Sequence, residues 1–414
     1  MTGTGRQALL SSRRVLDLAD LSGAFCTKLL ADCGAEVIKI ELPEGDLLRR
    51  TGPFVGDRPG PDRGLPFLYY NTNKRGITLD LRIADARALF RRLVPTADVV
   101  VETFAPGHLD GLDLGRAALA RLNPGLILTS ITPFGQTGPY RGYQGSDLVG
   151  LATGGMLNVV GHPEGRPLRV AGTQAYHAAS CYALVGTLAA LLWRNTSGHG
   201  QHVDVSVQES VIAHSENPVR FWAYAGVLAR RQRGQHPAVT APRDIVRTRD
   251  GYYVRLDPGV DQGAAKARKW RLLVEWIQRD GVEEDLGDEK YTDPQARCRN
   301  AEHVNRVVSA WAATHTLPDL IEEGAKRGLA WTPPSPPAEV VTNAHLAARG
   351  FFDAVEHPDL GSFAYPGTPF RTVQVEHGPT RRAPALGEDN QAVYRDELGL
   401  SEEELGRLRA AGAI

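Results

Sequence analysis

The stretch RVLDLADLSGAFCTKLLADCGAEVIKIE, residues 14–41, decides the fold of this chain. It opens with an apolar, β-prone run, and SGAFCTKLLADCG (22–34) follows with apolar residues at the spacing of one helix face. Ser22 is a possible N-cap of that helix, and Gly34 is a typical stop signal after it. The run AEVIKIE (35–41) predicts a second strand. Because two parallel strands need a crossover connection, the stretch predicts a βαβ unit.

The same alternation continues along the first third of the chain. Further strands are predicted at 76–82, 98–104 and 126–132, and helices at 84–94 and 115–122. Strands that alternate with helices are typical of a doubly wound parallel sheet, so the predicted class is α/β with a Rossmann-like domain. Since open sheets of this kind bind ligands beyond the carboxyl ends of their strands, the residues after each strand are candidates for a site.

The length of 414 residues predicts more than one hydrophobic core. The composition becomes basic and loop-like after residue 228, in LARRQRGQHPAVTAPR, which predicts a domain crossing there. From 244 to about 345 the pattern predicts a smaller α+β unit, with helices around 264–280 and 301–326.

Charge and cysteine content narrow the class of partner. Lys and Arg number 47 and Asp and Glu number 48, a balance that argues against nucleic acid as the main partner. The four cysteines lack the spacing of metal ligands, so no metal site is expected, and they fit reduced thiols in a cytoplasmic protein. No apolar run reaches the roughly 20 residues that a membrane span needs, so no membrane association is expected.

Familiar catalytic motifs do not occur. The first βα turn, ADLSGAF, has one Gly rather than GxGxxG, which argues against a dinucleotide site, and no GxSxG, HExxH or P-loop is found. Three segments lie at the carboxyl ends of predicted strands and could bind a nucleotide-like ligand: Leu79–Arg82, Thr103–Ala105 and Thr132–Gly135. Taken singly, each is also compatible with an ordinary turn.

Several polar residues allow both a structural and a functional interpretation. Lys74 and Arg75, in YNTNKRGI, could bind phosphate or could lie in a solvated loop. Asp147, beside Ser146 in GSDLV, is an N-cap or a catalytic carboxylate. His177 lies on a helix that is predicted to be buried and is either a core residue or a general base.

Taken together, these segments resemble the class III CoA-transferases, the group that includes formyl-CoA transferase, the carnitine CoA-transferase and α-methylacyl-CoA racemase. The resemblance begins with the stretch 14–46 and runs nearly to the C-terminus. The segments that carry it further along the chain are NTNKRGITLDL, ADVVVETFAPG, LNPGLILTSITPFGQTGPY, GSDLV, GTLAALLWRNTSGHGQHVDVSVQES, HPDLGSFAYPGTPFR and RRAPALGEDN.

The resemblance implies a fold and an assembly. Family members build a large Rossmann-like domain from both chain ends, so 1–228 would form that CoA-binding domain and 351–414 would return to complete it. Residues 229–350 would form the small α+β domain with its linkers. Two such chains interlock like rings of a chain, and no folded monomer is expected.

The resemblance also implies a chemistry. An Asp carboxylate of the enzyme attacks an acyl-CoA thioester, which forms a mixed anhydride and releases CoA thiolate. The thiolate attacks back and leaves a CoA thioester on the enzyme, from which a small carboxylic acid takes the CoA. Only an unprotonated carboxylate forms such an exchangeable anhydride. CoA or acyl-CoA is therefore a substrate, and no permanently bound cofactor is expected.

In this sequence the positions implied for catalysis are altered. The family's Asp falls at Ala175 or Tyr176, and the His of the racemase branch falls at Ser146. Two basic residues of the CoA site are replaced by Leu42 and Gly111. The other implied CoA-binding residues are Ser22, Leu79, Asp80, Leu81, Arg82, Thr103, Phe104, Ala105, Thr132, Pro133, Phe134 and Gly135.

Three hypotheses follow for the function. In the first, the chain is an acyl-CoA-dependent enzyme in which Tyr176, His177 and Asp147 are the candidate catalytic residues. In the second, it is the non-catalytic subunit of a class III CoA-transferase and forms a heterodimer with an Asp-bearing paralogue instead of a homodimer. In the third, it is a binding or scaffold protein that no longer uses CoA.

Overall fold

The computed structural model describes residues 8–162, 164–215, 217–231, 244–256, 264–373, 375 and 377–414. Its strands are β1 (Arg14–Leu18), β2 (Glu36–Glu41), β3 (Arg75–Thr78), β4 (Val99–Glu102), β5 (Ile127–Thr132), β6 (His202–Ser206), β7 (Ile245–Arg247), β8 (Tyr253–Arg255), β9 (Phe352–His357) and β10 (Gly361–Pro366).

The α-helices are α1 (Ala24–Asp32), α2 (Leu65–Tyr70), α3 (Ala84–Leu93), α4 (His108–Gly111), α5 (Arg116–Leu122), α6 (Asp147–Thr153), α7 (Met156–Val159), α8 (Gln174–Ser197), α9 (Val207–Ser215), α10 (Asn217–Ala225), α11 (Ala264–Arg279), α12 (Pro294–Arg299), α13 (Ala301–Ala312), α14 (Leu317–Lys326), α15 (Pro337–Val341), α16 (Ala344–Ala348) and α17 (Glu402–Ala410). Short 3₁₀ turns cover Leu47–Arg50, Val55–Asp57, Val94–Thr96, Asp285–Gly287 and Glu289–Thr292, and a π-helical turn covers Ala392–Glu397.

Six strands form one parallel sheet in the order β3-β2-β1-β4-β5-β6. Every neighbouring pair in it is parallel, which confirms the predicted α/β class. The order reverses between β1 and β4, and ligands of open α/β sheets bind in the crevice at such a reversal. The register also sets up one row of side chains near the carboxyl edge, in which Leu18, Glu102, Ser130 and Asp204 stand side by side.

The first βαβ unit is present, but its helix begins differently from the prediction. Gly23 stands at the N-cap position and makes no side-chain hydrogen bond there. The hydroxyl of Ser22 donates instead to Asp20 Oδ1 at 2.5 Å, so the prediction of Ser22 as a cap is wrong. Gly34 ends the helix as predicted, with a φ of 90° that favours glycine.

Two predicted elements are shorter in the structure. The strand predicted at 76–82 ends at Thr78, because Asp80 accepts the backbone N–H of Arg82 at 2.9 Å and forms a turn. The helix predicted at 301–326 is divided into α13 and α14. Thr316 and Asp319 form a reciprocal capping box there, which starts a new helix.

The last segment of the chain packs on one face of the sheet. Leu405 and Leu408 of α17 and the terminal Ile414 join a hydrophobic core with residues of β1 to β5 and α3. The Tyr394 hydroxyl donates to the carbonyl of Thr78 at 2.8 Å, which fixes the segment to β3. The end of the chain therefore lies against the strand that leads into the predicted CoA-binding residues.

The other face of the sheet carries α1 and α8. Ala175, Ala179 and Ala183 of α8 are completely buried, and Thr187 shares a 2.7 Å hydrogen bond with Thr129 of β5. Helix α8 is also long and apolar enough to cross a membrane by length and composition, a test that core helices pass as well. One side of α8 packs on the sheet, and its other side is exposed.

The described chain divides into two compact units. The first comprises residues 1–154, 171–214 and 343–414 and contains the six-stranded sheet and the β9–β10 hairpin. The second comprises residues 155–170 and 215–342 and contains the β7–β8 hairpin and helices α11 to α14. Its core is rich in tryptophan, with the rings of Trp276 and Trp331 stacked at 5.3 Å.

Candidate active site

A cavity of about 340 Å³ lies at the carboxyl ends of β1, β2, β3 and β4. Its walls include Ala19 and Asp20 after β1, Leu42 after β2 and Phe104 after β4. The cavity therefore occupies the crevice where the strand order reverses. Because the three strands β2, β1 and β4 meet at this point, segments distant in sequence contribute to one site.

The structure brings the predicted segment Leu79–Arg82 into this cavity. Asp80 is buried, and its carboxylate is bound by the guanidinium of Arg82 at 2.7 to 3.0 Å. These hydrogen bonds lower the pKa of Asp80. The Arg82 side chain remains 66% exposed, so a cationic group stands at the rim of the cavity.

The segment Thr103–Ala105 is tied to the turn after β1. Thr103 Oγ1 accepts the backbone N–H of Asp20 at 2.9 Å, and Asp20 in turn binds both the N–H and the hydroxyl of Ser22. Phe104 lines the cavity, whereas Ser22, Thr103 and Ala105 stand beside it. The predicted residues of β1, β3 and β4 thus converge at one edge of the sheet.

The predicted segment Thr132–Gly135 lies apart from the cavity walls, at the end of β5. Phe134 packs edge-on against Tyr140 and Tyr143. Thr132 is buried, and its hydroxyl has no hydrogen-bond partner among the described residues. This segment extends the polar edge of the sheet toward β6 without joining the cavity.

The N-terminus of α8 is capped from another helix. Asp147 Oδ1 accepts the backbone N–H groups of Ala175 at 2.9 Å and of Tyr176 at 3.4 Å. The Asp147 side chain is buried, and Ser146 serves as the cap of α6. The carboxylate of Asp147 therefore neutralises the free N–H groups at the start of α8, a structural role.

The two positions implied for the family's Asp differ in their surroundings. Ala175 is completely buried and packs against Gly150. Tyr176 is half-buried, and burial together with the charges of Asp20 and Asp147 raises the pKa of its phenol. Neither residue lines the cavity, although Asp20, which does, is close enough to act on the phenol of Tyr176.

His177 is held in an aromatic cluster. Its Nε2 shares a 2.8 Å hydrogen bond with the Tyr70 hydroxyl, and its ring stacks on Phe25 at 4.3 Å. Burial lowers the pKa of His177, and the charge of Asp147 opposes that effect only in part. The imidazole is therefore neutral at pH 7, with Nε2 occupied by Tyr70 rather than free for a substrate.

Two polar groups were not predicted from the sequence: Lys39 in the cavity and Tyr70 beside His177. Lys39 lines the cavity, and the carboxylates of Asp17 and Asp46 outweigh burial and raise the pKa of this lysine. A lysine inside the apolar run VIKI was a usable signal, because charged residues are rarely buried unless they are paired. The partner of His177, Tyr70, left no such signal in the sequence.

A group of possible metal ligands lies in the second unit. Glu284, Asp285 and His303 offer ligand atoms within 4.8 Å of one another. Arg306 already binds Glu284, and Lys290 already binds Asp285. Because these carboxylates have cationic partners, we assign no metal to this group.

The capping role of Asp147 can be tested by substitution. We expect Asp147→Ala to lower the free energy of unfolding by about 1–2 kcal/mol, the usual cost of losing a helix cap. Asp147→Asn keeps an oxygen acceptor and should cost less than half as much. Thermal unfolding of both variants is the measurement. An asparagine variant as unstable as the alanine variant would contradict the capping role.

Comparison with known proteins agrees with this geometry. Residues 10–390 match the family model described as CoA-transferase family III. The chain is 36% identical over 406 residues to a subunit of succinyl-CoA:(R)-benzylsuccinate CoA-transferase from Thauera aromatica, covering 97% of each chain. It is 35% identical to the succinyl-CoA–D-citramalate CoA-transferase of Chloroflexus aurantiacus, covering 98% of each.

Solved structures show the same similarity. A CAIB/BAIF family protein from Brucella suis superposes with a TM-score of 0.80 at 28% identity, over 94% of this chain and 99% of the other. The protein Rv3272 from Mycobacterium tuberculosis superposes with a TM-score of 0.79 at 26% identity, over 94% and 99% of the two chains. By its sequence along nearly its whole length and by its fold, this chain belongs to CoA-transferase family III.

Proposed function

We propose that this chain is the carboxylate-lacking subunit of a two-chain CoA-transferase, which moves CoA from an acyl-CoA to a small carboxylic acid. The observation that carries the proposal is the start of α8, where Ala175 and Tyr176 stand at the positions implied for the nucleophile. Neither side chain can form an acyl anhydride. The nearby carboxylate of Asp147 is bound to backbone N–H groups instead.

In this proposal the chain still binds CoA. The cavity at the reversal of the strand order has the place and the mixed lining that a nucleotide-like ligand uses. Arg82 supplies a positive charge at the rim for the phosphates of CoA. The partner chain would contribute the Asp that attacks the thioester carbon, breaks the C–S bond and releases CoA thiolate.

The names of relatives support a two-chain enzyme. The relative from Thauera aromatica is named as a subunit, and the succinyl-CoA–L-malate CoA-transferase of Chloroflexus aurantiacus has an alpha and a beta subunit, each 30% identical to this chain. Their donors and acceptors suggest succinyl-CoA and a dicarboxylic acid as the substrate class for this chain.

One face of α8 also supports a partner. Tyr182, Val185, Leu192 and Trp193 lie at helical spacing and are 42% to 69% exposed, although all are apolar or aromatic. Exposed apolar groups of this size are typical of an interface. We propose that the partner covers them in an interlocked dimer of the kind that the family resemblance implies.

Reconstitution tests the proposal. The chain is purified alone and together with an Asp-bearing paralogue from the same genome, and both samples receive succinyl-CoA and a set of dicarboxylic acids. We expect transfer by the pair and a rate at least about 10³-fold lower for the chain alone, since the nucleophile is missing. Mass spectrometry should find the enzyme-bound CoA thioester on the partner only.

Two further results would decide against this function. Full transfer by the chain alone, with a covalent adduct on one of its own residues, would place the nucleophile in this chain. The variant His177→Gln in the reconstituted pair tests the alternative hypothesis, in which this histidine acts as the general base. Loss of turnover while the Asp of the partner is intact would favour that alternative. Calorimetry without heat from CoA or any CoA ester would favour the scaffold hypothesis.

A further inference from the structure

Glu102 is the last residue of β4, directly before the segment Thr103–Ala105. Its side chain is buried, with 4% of its surface exposed, although it bears a carboxylate. Glu102 Oε2 accepts the backbone N–H of Phe104 at 2.7 Å. Because Phe104 lines the cavity, this hydrogen bond fixes one wall of the site from inside the protein.

The carboxylate of Glu102 is connected to the surface through a chain of hydrogen bonds. The Ser130 side chain binds it from the neighbouring strand β5. Ser130 Oγ in turn lies 2.9 Å from Nε2 of His202 on β6. Ser130 is buried and His202 is exposed, so these two residues connect the surroundings of Glu102 to the solvent-facing end of β6.

The other charged groups around Glu102 come from α4, α5 and β6. Burial raises the pKa of Glu102 to about 7, and the carboxylates of Asp110 and Asp204 add to this effect. The hydrogen bonds from Ser130 and Phe104 favour the carboxylate and oppose the increase. Arg116 of α5 acts on His202, whose pKa is lowered mainly by burial. His108 of α4 stacks on Phe104 at 4.6 Å and lines the cavity as well.

We propose that Glu102 is a positioning residue whose ionisation sets the affinity of the cavity for CoA, through the hydrogen bond that it accepts from Phe104. This inference rests on the proposed binding of CoA in the cavity. An ionised acceptor makes a stronger hydrogen bond than a neutral one, so the wall formed by Phe104 is held best when Glu102 is a carboxylate. Protonation weakens the hydrogen bond and loosens the wall.

The affinity of the cavity for CoA should therefore increase with pH. Above pH 7 Glu102 is a carboxylate and the cavity is ready for CoA. As the pH falls through about 7, Glu102 takes up a proton and the affinity for CoA falls. If CoA binding lowers the pKa of Glu102 by one unit, the affinity changes by about tenfold across the transition.

The experiment compares the wild-type complex with Glu102→Gln by calorimetry, with CoA as the probe, from pH 5.5 to 8.5. Glutamine keeps an oxygen acceptor for Phe104 but cannot ionise. We expect the ratio of the variant's Kd to the wild-type Kd to rise by about tenfold from the acidic to the alkaline end. Titration of the CoA phosphate affects both proteins equally and cancels in the ratio.

Two more variants provide a control and a second test of the role of Glu102. Glu403→Gln, an exposed glutamate of α17, is the matched control and should give a ratio of one at every pH. Ser130→Ala removes a hydrogen bond to ionised Glu102 and should move the midpoint of the wild-type profile to higher pH, which provides a test if Glu102→Gln fails to fold.

The outcomes separate the two proposals. If the wild-type complex binds no CoA at any pH, the proposed function is wrong. If it binds CoA and the ratio stays constant with pH, or changes in the opposite direction, the role of Glu102 is wrong while the proposed function stands. A midpoint that Ser130→Ala does not move would also contradict the role of Glu102.

Discussion

Replacing Lys74 with methionine is expected to lower the free energy of unfolding by about 3–5 kcal/mol, the cost of breaking a buried ion pair from one side. Lys74 Nζ lies 2.9 Å from Asp17 Oδ2, and both side chains are completely buried. Thr27 Oγ1 and Asn71 Oδ1 accept its other hydrogen bonds at 2.8 and 2.9 Å. Methionine removes all three donors at once and leaves the carboxylate without its closest cation.

The position of Asp17 explains why the effect should be large. Burial opposes its ionisation, but the charges of Lys74 and Lys39 outweigh burial, and the pKa of Asp17 is lowered. A carboxyl with a lowered pKa stabilises the fold above the pKa of about 3.9 that it has when unfolded, and that contribution is lost as the pH falls through the folded pKa. At pH 7 the carboxylate is therefore charged in the wild type, and the variant keeps only Lys39 to compensate it.

Thermal unfolding at pH 7 should show the loss as a decrease in Tm of roughly 5–10 °C for a unit of this size. Lys326→Met is the matched control, since its side chain is 59% exposed beside Glu322 and Glu323 and exposed ion pairs contribute little to stability. The double variant Asp17→Asn, Lys74→Met removes both charges and should recover part of the loss. A single variant as stable as the wild type would contradict the importance of this ion pair.

The environment of Lys74 could not be predicted from the sequence. The pattern around it allowed a phosphate contact or a solvated loop, and the structure shows neither. Lys74 is completely buried against Asp17, a residue 57 positions earlier in the chain. Because β3 and β1 are separated by β2 in the sheet, no local pattern reveals that these two side chains meet beneath it.

The first βαβ unit and the parallel sheet were predictable, because apolar periodicity is a local property of the sequence. The unit between 14 and 41 appeared nearly as predicted, and Gly34 ended its helix. Positions that depend on side-chain hydrogen bonds were less predictable. Ser22 looked like a cap from its place in the sequence, yet its hydroxyl binds Asp20.

The candidate site was predictable in part, because the ends of the strands can be located from local apolar periodicity. Segments after strands were found from the alternation alone, and the structure places Leu79–Arg82 and Phe104 in one cavity. Asp147 was interpreted as a cap of its own helix or as a catalytic residue. Its carboxylate caps α8, 28 residues further along the chain, and this long-range contact has no signature in the sequence.

Reversing the charge at Arg82 should weaken CoA binding by about 100-fold. The prediction follows from the proposed function, in which the guanidinium at the cavity rim meets a phosphate of CoA. Arg82 is 66% exposed and is oriented by Asp80, with which it forms an ion pair at 2.7 Å. A charge-assisted hydrogen bond is stronger than a neutral one, and Arg82→Glu adds repulsion to its loss.

Calorimetry with CoA at low and high ionic strength measures this effect. The difference between Arg82→Glu and the wild type should shrink as salt is added, because exposed charges are screened. Arg121→Glu is the matched control, since this exposed arginine of α5 does not line the cavity and should leave the Kd within about twofold of the wild type. An Arg82→Glu variant that binds CoA as tightly as the control would contradict the proposed contact between Arg82 and a phosphate of CoA.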